Sequence, residues 1–258
     1  MTLHPQRGDF GYDRCMRLAG FAIVVCLAGG TAALGDDSAG YSNGTEFRMS
    51  GSQTVRMVSE KVLIDVDRIG AAVHCRFVFK NEGPGTVVTM GFPNEPYGDA
   101  SNAKLDGFRS RVDGRSVRAR IQKDGSGPDE RRVFYVKRVA FKADQTRVVE
   151  DSYRTALNGN TFSWSGISYV METGASWKGN IGNATVLVRF HDRQPSSSLT
   201  VAQEDRWLAV KPFRNKIPKN LILWSGFAIP RVHGTTLLFQ RSDFKPTTRS
   251  NVILTFQG

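Results

Sequence analysis

The residues that could do chemistry in this 258-residue chain are few and scattered. Beyond residue 35 the histidines are His74, His191 and His233, each isolated, with no H-E-x-x-H pattern and no cysteine pair nearby. A catalytic zinc needs several such ligands on one scaffold, and this inventory does not supply them. Gly174-Ala175-Ser176-Trp177-Lys178-Gly179 misses the nucleophile-elbow spacing by one residue, and no helix is expected after it, as that elbow requires. A Ser-His-Asp set brought together in space stays open. Asp65 and Asp67 share one face of an expected strand, where paired carboxylates can hold Ca2+ or do acid/base work. The same spacing describes a solvated strand face. Asn94, Glu95 and Asp99, and again Asp124, Asp129 and Glu130, are rich in oxygen but match no calcium-loop spacing. No phosphate-binding glycine motif is present. Neither a cofactor nor a metal is expected.

Binding chemistry has better candidates. The chain carries a net charge of +11, which favours acidic partners. Arg109, Arg111, Arg118 and Arg120 flank Asp113-Gly114. Asp-Gly between two alternating runs predicts a tight hairpin, because both residues tolerate a positive φ. Arg109 and Arg111 share one face of it, and so do Arg118 and Arg120, with Val117, Ala119 and Ile121 opposite. Such a face could hold a polyanion, or it could serve only to solubilise a half-buried sheet. A second candidate is aromatic: Trp164, Tyr169 and Trp177, with Lys178 beside the last. Planar rings next to a cation would suit an acidic glycan, and large rings also pack cores.

The elements that must position these residues read as strands. Lys61–Asp67 alternates with Val62, Ile64 and Val66 inward. Ala71–Lys80 alternates with Val73, Cys75, Phe77 and Phe79 inward and with His74 and Arg76 outward. Further strands are expected at Phe47–Val58, at Thr86–Phe92 (ended by Pro93), and at Phe108–Val112 and Ser116–Ile121. Later ones are expected at Val133–Lys142, Thr146–Arg154, Thr235–Gln240 and Val252–Phe256, with shorter runs at Leu199–Val201, Trp207–Val210 and Leu221–Phe227. Ser163–Phe190 reads as two strands joined by a Gly-containing connector into a hairpin, with Trp177 covering the core edge. No run beyond the N-terminus keeps a helical period. The pattern predicts an all-β fold of one or two β-sandwich (immunoglobulin-like) lobes. The lobes are expected at 36–122 and 131–258, divided at the flexible Lys123–Glu130 stretch.

Residues 1–35 form an N-terminal extension and a signal peptide: Met16-Arg17, then the apolar run Leu18–Leu34, then Ala33-Leu34-Gly35 as a small-x-small cleavage pattern before Asp36. An uncleaved signal would act as an anchor; otherwise the chain is not an integral membrane protein. Asp36–Thr45 is polar and Gly-rich and reads as a mobile tail. Removing residues 1–35 takes away three Arg and two Asp, so the net charge falls only to +10. Of the three cysteines only Cys75 then remains, as a buried thiol without a disulfide partner.

Four stretches carry a resemblance: Val73–Asn81; Phe92-Pro93-Asn94-Glu95-Pro96; the run Tyr169, Thr173-Gly174, Trp177-Lys178-Gly179, Ile181-Gly182; and Asp243-Phe244-Lys245-Pro246. Together they resemble a family of exported bacterial proteins of unknown function. The resemblance implies a β-rich exported protein of Gram-negative type and brings no activity or catalytic residue.

The sequence therefore leads to a periplasmic or secreted, non-enzymatic protein. Its expected partner is an acidic envelope polymer or an envelope protein, not nucleic acid. The alternative is an extracytoplasmic hydrolase acting on carbohydrate or peptide.

Overall fold

A computed structural model describes residues 33–95, 105–125, 133–159, 164–192, 200–203 and 221–257. Residues 1–32 of the expected signal segment 1–35, the Trp207–Val210 run and most of the stretch 123–130 lie outside these residues; the last three residues of that segment, Ala33–Gly35, are described and pair with Ser168–Val170 and with Asn94–Glu95. The described chain is all-β; its only helical turns are two short 3-10 segments, Glu172–Ser176 and Thr248–Ser250. In order the strands are β1 (Ala33–Gly35), β2 (Ser38–Ser42), β3 (Glu46–Met49), β4 (Val55–Val66), β5 (Gly70–Asn81) and β6 (Thr86–Glu95). Then come β7 (Asp106–Val112), β8 (Arg115–Val117), β9 (Arg120–Asp124), β10 (Val133–Phe141), β11 (Thr146–Ala156) and β12 (Asn158–Gly159). The chain finishes with β13 (Trp164–Val170), β14 (Ile181–Phe190), β15 (Thr200–Gln203), β16 (Leu221–Ser225), β17 (Arg231–His233), β18 (Thr236–Phe244) and β19 (Val252–Gln257).

They make two mixed sheets packed face to face. The smaller has the order β17-β18-β14-β4-β5-β11-β7-β8. The larger runs β10-β9-β3-β2-β6-β1-β13-β19-β16-β15, with β12 on β13 and a further pairing of β10 with β6. That extra pairing closes β6, β10, β9, β3 and β2 into a ring. Phe47 fills it, against Phe134 at 4.7 Å between ring centroids. Gly91 and Gly40 make the space, since a Cβ at either would meet the Phe47 ring. Strands from both sides of Lys123–Glu130 interleave: β14 pairs with β4, and β10 with β6.

Alternation explains the core. Val62, Ile64 and Val66 on β4, and Val73, Cys75, Phe77 and Phe79 on β5, point between the sheets, where they meet Tyr169, Met171, Leu254 and Phe256. Cys75 is free and buried.

Four expectations change. Asp36–Thr45 is no loose tail: Asp36, Asp37 and Ser38 are fully buried, and Ser38–Ser42 is a sheet strand. The main chain there is tied down by long-range bonds. Asp36 N–H donates to Val170 O at 2.9 Å. Thr173 Oγ1 donates to Asp36 O at 2.8 Å, and Trp177 Nε1 to Asp37 O at 2.7 Å. Second, Ser163–Phe190 is not a hairpin. β13 lies in the larger sheet and β14 in the smaller, so the connector is an arch across the sandwich. Gly179 turns it at φ +66°. Third, Pro93 does not end β6; the strand runs on to Glu95, with Pro93 paired to Phe134. Fourth, the Asp113-Gly114 turn forms with φ of 48° and 77°, but its second arm stops at Val117. The chain then crosses to the larger sheet as β9.

Candidate functional site

The strand register of the smaller sheet builds a cationic shelf on its outer face. In antiparallel strands, directly opposed residues project to the same side. Glu150 on β11 is opposed by Arg76 on β5 and by Arg111 on β7. Ser152 is opposed by His74 and by Arg109. Lys61 on β4 extends the first row, opposite Arg76. Lys61, His74, Arg76, Arg109 and Arg111 are all exposed. Among the described residues, none of Lys61, Arg76, Arg109 and Arg111 is engaged in an ion pair. A shallow groove of 370 Å³ runs between His74, Arg76, Arg109, Arg111, Glu150 and Ser152. A second groove of 370 Å³ adjoins it, with Arg118 beside Arg109 and Arg111 and with Phe108, Ile121 and Tyr135 as its apolar wall. Several cations on rigid strands around a single carboxylate can hold an anion by charge and by paired N–H donors.

The arginine hairpin is therefore brought together in part. Arg109, Arg111 and Arg118 share a surface, and Arg120 is exposed on β9 in the other sheet. The aromatic candidates go elsewhere. Tyr169 is fully buried, Trp177 is buried against Phe79 at 4.4 Å between ring centroids, and Trp164 is buried with Leu221 and Leu223. Their faces are spent on packing and offer no stacking surface for a sugar. Lys178 pairs with Glu82 at 3.0 Å.

The paired carboxylates are also divided. Asp65 takes a two-pronged contact from Arg189 at 2.6 and 2.7 Å and lies 2.8 Å from His191 Nε2. Hydrogen bonds from Arg189, then from His191, hold its carboxyl below the ordinary range despite partial burial. Asp67 caps the turn at Ile69 and Gly70 and pairs with Arg154 at 2.8 Å. The two act on different partners and not as one acid/base pair. His233 is exposed on β17. No group of acidic, His or Cys side chains able to hold a metal occurs among the described residues.

A different cluster of ionisable groups lies inside the sandwich. Lys137 Nζ is 2.6 Å from Asp151 Oδ2, 3.0 Å from Asp37 Oδ1 and 2.8 Å from Asp37 Oδ2. All three side chains are fully buried. Tyr169 donates its hydroxyl to Glu60 Oε1 at 2.7 Å, and Asp36 is buried alongside. Burial pushes the Glu60 carboxyl up to about 8, even with the Tyr169 bond opposing it. Burial, partly countered by Lys137, pushes Asp37 up to about 7. Asp36 is raised too, by burial and then by the charges of Glu60 and Asp37. Burial alone would lower Lys137; the Asp151 and Asp37 carboxylates outweigh it and hold the ammonium above its ordinary value. Lys137–Asp151 and Tyr169–Glu60 each join a strand of one sheet to a strand of the other and tie the two together.

With this geometry in place the chain can be compared with known proteins. No family matches it, and no curated protein matches it. Among solved structures it is similar to a Legionella pneumophila protein described as a "putative nutrient binding protein". The two are 17% identical, with a TM-score of 0.60 over 89% of this chain and 73% of that one. It is also similar to the M1 zinc metallopeptidase of Deinococcus radiodurans, at 10% identity and a TM-score of 0.38, over 80% of this chain and 43% of that one. A Saccharomyces cerevisiae leukotriene A4 hydrolase gives 10% identity and a TM-score of 0.39, over 84% and 31%. The chain thus spans less than half of either enzyme. The Legionella likeness shows a shared fold. The two enzyme likenesses are too distant to bear on the site.

The motif stretches gain structural roles. Thr173 and Trp177 clamp the main chain of Asp36 and Asp37, and a Cβ at Gly174 would run into Asp36 Oδ2. Lys245 Nζ donates to Trp177 O at 2.8 Å and Gly179 O at 3.0 Å, which fixes the arch. Sequence reasoning missed Lys61 and Arg76 as shelf members, although alternation already placed Arg76 outward. It also missed Glu60, Lys137 and Asp151. Each of these stands on the inward parity of its strand, between apolar residues, and that was the signal.

Proposed function

We propose that this protein is an exported, non-enzymatic binding module whose outer cationic shelf takes an anionic polymer of the cell envelope. The observation that carries the reading is the register placing Arg109, Arg111, Arg76 and Lys61 together on rigid strands, free of internal ion pairs among the described residues. Side chains that a protein leaves uncompensated on one face raise the local anion concentration there. The description of the similar Legionella protein as a nutrient binding protein leans the same way. The signal pattern ahead of Asp36 supports export and so favours an envelope polymer over nucleic acid.

The test is binding of the purified protein to polygalacturonate, with dextran as the uncharged control. Arg109→Glu combined with Arg111→Glu removes two guanidinium contacts at roughly 1 kcal/mol each. Affinity should fall by about thirtyfold or more. Equal binding to dextran, or a double variant that binds like the parent, would refute the reading.

A further inference from the structure

The interior cluster holds an amine and a carboxyl in contact, sealed between two sheets. Lys137 Nζ faces both oxygens of Asp37, at 3.0 and 2.8 Å, while Asp151 Oδ2 touches the same nitrogen at 2.6 Å. We propose that Lys137 and Asp37 condense into an intramolecular amide, with Asp151 as the group that handles the proton.

Three observations support this. The first is the burial of ionisable groups that are not fully satisfied. Among the described residues four carboxyl groups (Asp36, Asp37, Glu60 and Asp151) share the interior with one amine, Lys137. Burying ions costs several kcal/mol each unless their partners satisfy them fully. Here they do not: both Asp36 oxygens, Glu60 Oε2 and Asp151 Oδ1 are buried without a hydrogen-bond partner. Condensation leaves a neutral amide and a protonated Asp151 where the buried Lys137–Asp151 ion pair stood. The second is proximity. Reacting groups held at contact distance gain effective molarities of about 10⁵ M or more over free reactants. The third is the fixing of the electrophile. Trp177 Nε1 and Thr173 Oγ1 hold the main chain at Asp37 and Asp36, so the Asp37 carboxyl cannot swing away from Lys137.

The step balances without a co-reactant. The Lys137 ammonium gives a proton to the Asp151 carboxylate. The freed lone pair attacks Cγ of protonated Asp37 and forms the N–C bond. The tetrahedral carbon then loses one oxygen, which leaves as water with the proton returned by Asp151. The nitrogen passes its remaining surplus proton to the Asp151 carboxylate, and the amide keeps one N–H. Ammonium, neutral Asp37 acid and Asp151 carboxylate become amide, one water and protonated Asp151, with no change of oxidation state. Burial favours the step at the electrophile, since it raises the Asp37 carboxyl to about 7 and leaves the neutral acid populated near neutrality. The product would close a loop spanning 100 residues and lock the N-terminal strands to β10. Cross-links over long loops restrict the unfolded chain most.

The experiment is the intact mass of the denatured full-length protein, read against the sequence mass from its determined N-terminus, followed by a peptide map. The expected wild-type result is a mass lower by one water, with a branched peptide joining the segments around Asp37 and Lys137. Lys137→Arg and Asp37→Ala should each restore the full mass. The wild-type measurement decides even if those variants fail to fold. A full sequence mass means an ordinary buried ion pair and overturns the proposal. A water loss that maps to a succinimide, or that persists in Asp37→Ala, overturns it too.

Discussion

Glu60→Gln should gain stability on the wild type as pH rises from acid to alkaline. The substitution keeps the shape and keeps Oε1 as the acceptor for Tyr169, now 2.7 Å away. It removes the ability to ionise and puts an amide NH2 where Oε2 lies buried without a hydrogen-bond partner, a cost that is the same at both pH values. In the folded chain burial raises Glu60 from its ordinary 4.5 to about 8. Between those values the folded chain holds a proton that the unfolded chain has released. Stability is therefore fully present below pH 4.5 and is lost as pH rises toward 8. A carboxyl raised that far loses on the order of 5 kcal/mol of its contribution by pH 9. That is a large share of the ~5–15 kcal/mol that holds an ordinary domain together. Asp36 and Asp37 are raised as well and bend the profile in the same sense; because the Glu60 charge also raises Asp36, the difference between the two proteins reports Glu60 together with its coupling to Asp36. Urea unfolding of wild type and Glu60→Gln at pH 5 and pH 9 measures it. The expected result is a variant midpoint that rises relative to wild type between pH 5 and pH 9. Parallel profiles would refute the reasoning, because they would mean that Glu60 ionises as easily in the fold as out of it.

Other outcomes follow from the packing. Trp177→Ala deletes a buried indole packed at a tilt against Phe79 and the donor to Asp37 O; it should cost about 3–5 kcal/mol in urea unfolding, and a loss under ~1 kcal/mol would return that ring to the recognition residues. Gly91→Val would drive a side chain into the Phe47 ring inside the closed ring of strands; a midpoint lower by the equivalent of ~1–3 kcal/mol is expected. Asp65→Asn loosens a partly exposed pair with Arg189 and should change stability by under about 1 kcal/mol.

Alternation within a strand is local physics, and the sequence shows it clearly. Val62, Ile64 and Val66, and Cys75 between Val73 and Phe77, lie inward as the pattern predicts. The Asp-Gly turn is equally local. The pairing partners of the strands are not. Trp164–Val170 and Ile181–Phe190 look like a hairpin because they are adjacent in sequence, yet each finds its partners in a different sheet. Asp36 and Asp37 look like tail residues because nothing nearby binds them; what binds them is Thr173 and Trp177, more than 130 positions away. The shelf was half legible for the same reason. Arg109 and Arg111 sit together on one strand, whereas Arg76 and Lys61 join them only through pairing across β11, β5 and β4. Lys137 and Asp151 were readable as charged residues on apolar parities, but their mutual contact depends on two sheets facing each other.

The central claim is that the shelf binds anions by charge on its own face. Its most direct test is a titration of labelled polygalacturonate with wild type and with the Arg109→Glu, Arg111→Glu double variant, each at low and at physiological salt. Exposed charges are screened over about 8–10 Å at such ionic strength. The account predicts wild-type affinity that falls steeply as salt rises and a double variant that binds weakly at both. Wild-type binding that ignores salt, or a double variant that binds as tightly as the parent, would contradict it.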